Sequence, residues 1–170
     1  MRLNFKNIAI ASTLFVGAIA FSQQQVDNPS FETWDNESSN SAEPVQWNSF
    51  YTATGGLSGQ AVQTLWKETA PANVHSGNSS VKIVTGSTFG VSVNGNLTCG
   101  RVNMGSTNAS SPDNHNYTST GDANFNQPLT ERPDSIAFWV KYAPSGSDIG
   151  SISAIIHDNF DYKFPESGSS

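Results

Sequence analysis

The chain is 170 residues long, carries a formal charge of −6 at pH 7, and only 13% of its residues are charged. An acidic chain without a basic run is a poor match for nucleic acid or for an anionic membrane surface. Its 11% aromatic content, set among abundant Ser, Thr, Asn and Gly, excludes a disordered acidic tail and points to one extracellular all-β domain.

Arg2 and Lys6 open the chain, residues 8–21 are apolar apart from Ser12, Thr13 and Gly17, and Ala18-Ile19-Ala20-Phe21-Ser22 offers small residues for cleavage. This is the pattern of a secretory signal peptide over 1–22, cut after Ser22 to leave Gln23 first. The apolar run is short for a bilayer and Gln23-Gln24-Gln25 follows at once, which disfavours a membrane anchor. No Cys follows the run, so a lipoprotein anchor is not expected. The mature segment 23–170 is expected to be secreted or held at the cell surface, with no membrane insertion, and its charge is near −8 once Arg2 and Lys6 are gone. Cys99 is the one cysteine, so no internal disulfide supports the core. It reads as a small buried hydrophobe, with a reactive thiol as the alternative.

In chain order, Asn28-Pro29 predicts a turn, followed by the apolar anchors Phe31 and Trp34. Residues 35–43 read as a surface loop, and Pro44-Val45-Gln46-Trp47 starts a strand running to Phe50 or Tyr51. Residues 54–59 are a flexible Gly-rich loop. Residues 62–67 alternate weakly and form a strand or a short helix. Gly77-Asn78 makes a turn into a strand in which Val81 and Ile83 share one side. Glycines at 90, 95, 100 and 105 match no solenoid period, so 90–105 reads as strand, turn and strand with a bulge. Residues 106–127 are a long polar loop pinned by Tyr117 and Phe125.

The strongest strand signal is Asp134-Ser135-Ile136-Ala137-Phe138-Trp139-Val140-Lys141-Tyr142. Period two sets Ile136, Phe138, Val140 and Tyr142 against Ala137, Trp139 and Lys141. A turn at 144–147 and a further strand at 152–157 follow. No amphipathic helix is predicted, and many short strands separated by Gly, Pro and Asn imply a jelly-roll-like β-sandwich.

Several segments carry a resemblance, in order along the chain: Asn28-Pro29-Ser30-Phe31-Glu32-Thr33-Trp34, Pro44-Val45-Gln46-Trp47-Asn48-Ser49-Phe50, Gly77-Asn78-Ser79-Ser80-Val81-Lys82-Ile83, Asn94-Gly95-Asn96-Leu97-Thr98-Cys99-Gly100-Arg101 and the 134–142 strand. The chain resembles the carbohydrate-metabolism domain family of secreted Bacteroidota proteins and, more distantly, galactose-binding-like jelly rolls and carbohydrate-binding modules. That resemblance implies carbohydrate or polysaccharide as partner. It also implies a domain continuing beyond residue 170, so this sandwich is expected to lack its closing strands and to leave a sheet edge open. Cys99 stands where the family has Thr or another small polar residue, so no thiol function carries over. In such sandwiches a Glu placed like Glu32 helps build a structural ion site, which implies Ca²⁺ held by Glu32, Asp27 and backbone carbonyls.

Glycoside hydrolysis needs two carboxylates roughly 5–10 Å apart. Glu32, Asp35, Glu37, Glu43, Glu68, Asp158 and Asp161 are available, but none belongs to a paired motif, and no catalytic residue is assigned. His157-Asp158 with Asp161 lacks a second His at ligand spacing and reads as a strand-end turn. Trp139 and Lys141 are the predicted ligand-binding pair. Trp139 lies on the side of its strand away from Phe138 and Val140, where an aromatic can stack on a sugar while Lys141 donates to hydroxyls. The alternative is that Trp139 packs under the 106–127 loop. The leading expectation is a non-catalytic carbohydrate-recognition domain; the rivals are a glycoside hydrolase and a structural or adhesive module of a larger secreted protein.

Overall fold

The computed structural model describes residues 26–165, so the predicted signal peptide and cleavage site lie outside the described residues. Nine short strands and four three-residue 3-10 turns make up the regular structure among these residues. The described residues are therefore strand-built, without a helix longer than three residues. The strands form three two-stranded antiparallel ribbons, β1 (Trp34–Asp35) with β2 (Glu43–Pro44), β3 (Leu65–Glu68) with β4 (Ser80–Ile83), and β5 (Gly86–Thr88) with β6 (Val91–Val93). A three-stranded sheet has the order β7 (Arg101–Met104), β8 (Asn114–Tyr117), β9 (Lys163–Phe164).

The core is small and sits where β7 meets the N-terminal half. Trp34, Ala42, Leu65, Val102 and Met104 are its buried apolar residues. Alternation along β7 buries Val102 and Met104 and leaves Arg101 and Asn103 half-exposed, as period two requires. The edge of β7 away from β8 is occupied by residues 54–57: Thr54 N donates to Val102 O, Met104 N to Thr54 O, and Leu57 N to Met104 O, all at 2.7–2.9 Å. Gly55 makes this approach possible. Its φ is +94°, and a Cβ there would run into the Met104 carbonyl.

The predicted turn at Asn28-Pro29 is present and serves as a clamp. Asn28 Nδ2 donates to Thr33 O at 2.9 Å and Val45 O at 3.1 Å, while Asn28 Oδ1 accepts from Thr33 N at 3.3 Å. A strand appears at 80–83 as expected, and the choice between strand and short helix left open at 62–67 is decided for a strand at Leu65–Glu68, in the register Leu65↔Ile83 and Trp66↔Lys82. The strand expected from Pro44 to Phe50 or Tyr51 does not form: β2 ends at Pro44, Asn48 makes a single bridge to Thr98, and Phe50–Thr52 is a 3-10 turn capped by Ser49 Oγ accepting from Tyr51 N. The two strands expected within 90–105 both form, but they do not pair with each other; β6 returns on β5, and β7 takes β8. The 106–127 loop contributes β8 itself. Tyr117 and Phe125 do pin it, through Tyr117 Oη to Thr54 Oγ1 at 3.1 Å and the Phe125 ring 4.4 Å beneath the Arg101 guanidinium.

The main departure is at 126–162, where no strand or helix forms. Among the described residues, the 134–142 segment makes no backbone–backbone hydrogen bond and its apolar side is exposed. Alternation gave it strand character, but a ladder needs a partner edge. The neighbouring segment is a 3-10 turn, Pro71–Asn73, closed by Asn73 N to Ala70 O, which presents no straight edge. The segment at 152–157 is likewise unpaired. After this excursion the chain returns to β8 as β9.

Candidate functional site

Trp139 and Lys141 lie alongside the 72–75 segment through side chains alone. The Trp139 indole stacks on His75 with ring centroids 3.8 Å apart and planes at 14°. Lys141 Nζ donates to Asn73 Oδ1 at 2.6 Å and to Ala72 O at 3.2 Å. Residues two apart on one segment thus meet residues two apart on the other, running in opposite directions. Trp139 and Lys141 share a side, as their spacing predicted. Trp139 is nevertheless 77% exposed, so the 106–127 loop does not cover it. One indole face rests on His75 and the other is open. The ammonium carries three donors and spends two, so one remains.

Nothing in the sequence marks His75 or Asn73, or points to a pairing across the 64 residues between His75 and Trp139. Asn73 also connects this shelf to β3. Its Nδ2 donates to Glu68 Oε2 at 3.0 Å, and its carbonyl accepts from Ser80 Oγ at 3.0 Å. Glu68 Oε1 takes Ala70 N at 2.8 Å, and the Ala70 N–H, followed by Asn73, holds the Glu68 carboxyl below its ordinary pKa.

Most of the other candidate carboxylates have structural partners. Glu32 accepts from Asn78 N at 2.8 Å and Ser79 N at 3.1 Å, and these two N–H groups lower its pKa. Gly77, at φ +78°, is the residue whose Cβ would collide with this carboxylate. Glu37 pairs with Lys67 at 2.8 Å. Glu43 is buried and accepts from Ser49 N at 2.6 Å and from Ser49 Oγ; burial raises its pKa despite these donors. Asp158 Oδ1 accepts from Phe160 N at 3.3 Å, and Asp35 lies exposed on β1.

Asp161 takes Thr120 N and Thr120 Oγ1, both at 2.7 Å, and the N–H leads in lowering its pKa. His157 stacks on Tyr162 and its Nδ1 lies 2.7 Å from Asp158 O. A carbonyl only accepts, so Nδ1 carries the proton; in the neutral ring Nε2 then accepts from Thr118 Oγ1 at 3.2 Å. That hydroxyl in turn accepts from Tyr162 N at 2.9 Å. This cluster docks the returning chain onto β8.

The implied calcium pair is placed as follows. Asp27 N donates to Gln127 Oε1 at 2.8 Å and Asp27 O accepts from Trp47 Nε1 at 2.9 Å. The Glu32 carboxylate faces N–H donors, an arrangement that holds a turn. Among the described residues no three His, Cys, Asp or Glu side chains gather as a ligand set. Glu32 thus serves as the acceptor of the 77–79 turn, and Asp27 is tied down through its backbone. Burial, with a smaller effect from Asp27, pushes the Cys99 thiol up to about 12, so it stays protonated and unreactive at neutral pH.

Comparison with protein-family models, with curated proteins and with solved structures finds no match.

Proposed function

We propose that this chain is a secreted, non-catalytic carbohydrate-recognition domain built on a jelly-roll-like sandwich, acting in polysaccharide recognition at the cell surface. The observation that carries the reading is the open face of Trp139. An exposed indole held flat by His75 is pre-oriented, so a ligand ring need not pay to immobilise it. Sugars present apolar C–H faces to such a ring, and their hydroxyls need donors and acceptors beside it. The remaining Lys141 donor and the Asn73 amide supply them. The non-catalytic reading is supported by the carboxylates, since six of the seven candidates are engaged in turns, an ion pair or a buried network.

The test is titration of the secreted chain against a panel of soluble polysaccharides, with release of reducing sugar followed in parallel. Trp139→Ala is expected to weaken binding by about 1–3 kcal/mol, the scale of losing a stacked anchor, with little change in melting temperature. Binding to no polysaccharide, or sugar release, overturns the reading. The apolar excursion at 126–162 favours one rival, an adhesive surface module, which would survive the first of these outcomes.

A further inference from the structure

A second aromatic stands on the outer face of the β3–β4 ribbon. Trp66 and Lys82 are direct cross-strand partners, and alternation puts Glu68 and Val84 on the same face. With Lys67, these residues line a shallow, open depression of about 380 Å³. Trp66 and Val84 are each 38% exposed there. The charges nearly cancel: Lys67 is paired with Glu37, and Lys82 shares the face with Glu68. The depression therefore offers an apolar ring, a donor and an acceptor, and no strong field that would select an anion.

This ground is continuous with the Trp139 shelf. Glu68, two residues along from Trp66, accepts from Asn73; Asn73 accepts from Lys141, two residues along from Trp139. Two indoles joined by a bridge of polar groups suit successive rings of a polymer better than one isolated sugar. We infer that the Trp66–Lys82–Val84 depression is a second stacking subsite and that, with the Trp139–His75 shelf, it forms one track for an uncharged glycan chain. The inference rests on the carbohydrate-binding reading above and adds a chain-length requirement to it.

The experiment is calorimetric titration of the mature chain with cello-, xylo-, malto- and laminari-oligosaccharides of two to six units, with oligogalacturonates as the charged control. Affinity is expected to climb with length for one uncharged series. Trp66→Ala is expected to lower hexasaccharide affinity about tenfold or more, while disaccharide affinity stays within about twofold, and Trp66→Phe recovers most of the loss. Should Trp66→Ala lose its circular dichroism signature, Val84→Glu reads the same face by placing a charge in the path of the ring. Unchanged hexasaccharide affinity in these variants, with Trp139→Ala still defective, overturns the second subsite and leaves the carbohydrate reading standing. Binding confined to oligogalacturonates overturns the uncharged class. A wild-type chain that binds no oligosaccharide removes both readings together.

Discussion

Residues 26–125 and residues 126–162 of this chain are built from similar side chains and end in different states. The first region has short strands of modest pattern, yet it holds the buried apolar residues and most of the hydrogen bonds that cross long stretches of chain. The second has the best alternation in the sequence and forms no strand, with Ile149 92%, Trp139 77%, Phe160 70% and Val140 63% exposed. The contrast teaches that strand character is a property of one segment, while a strand is a property of two. The first region found its partners at Thr54, Asn48 and Thr98; the 134–142 segment of the second met a 3-10 turn and touched it through side chains alone.

The largest expected effect that sharpens this contrast is in the core. Leu65 is 1% exposed, and Leu65→Ala should cost about 2–5 kcal/mol in chemical denaturation, enough to unfold a small core. A loss below about 1 kcal/mol would mean that the first region is no better packed than the second.

Next comes the buried carboxyl. Glu43→Ala strands the Ser49 N–H and hydroxyl and should cost about 1–3 kcal/mol. Because burial raises the folded pKa of Glu43 above its unfolded value, the protonated form favours folding. Its contribution is complete below the ordinary Glu range and is lost as pH rises through the folded value. Melting temperature measured against pH should therefore fall on that side, and Glu43→Gln should flatten the fall.

A smaller effect of opposite sign belongs to the exposed turns. Glu32, Glu68 and Asp161 have folded pKa values below their ordinary ones, each led by a backbone N–H. Their contribution is present above the ordinary carboxylate range and is lost as pH falls through the lowered values. In Glu32→Gln the acid limb should become shallower; an unchanged limb would show that the 77–79 turn holds without it.

The smallest effect is expected in the excursion. Ile149→Ser should change stability by less than about 0.5 kcal/mol, since the side chain is already in water. Limited proteolysis should cut within 143–156 first, while the 26–125 region resists. Equal resistance across the chain would mean that the excursion is covered in solution and that the two regions do not differ in packing.

Local chemistry was enough to read the all-β class from the absence of helical periodicity, the Asn28 turn, the β4 strand, and the shared side of Trp139 and Lys141. Each depends on residues within a few positions of one another. Pairing was not legible: β6 chose β5 instead of β7, the polar 106–127 loop supplied β8, and the 134–142 segment found no edge. Those outcomes depend on which backbone donors and acceptors come together across tens of residues, and alternation carries no information about that. The site divides in the same way. Its indole and ammonium were visible as a pattern of period two, whereas His75 and Asn73 entered only when the tertiary structure laid two distant segments side by side in opposite directions.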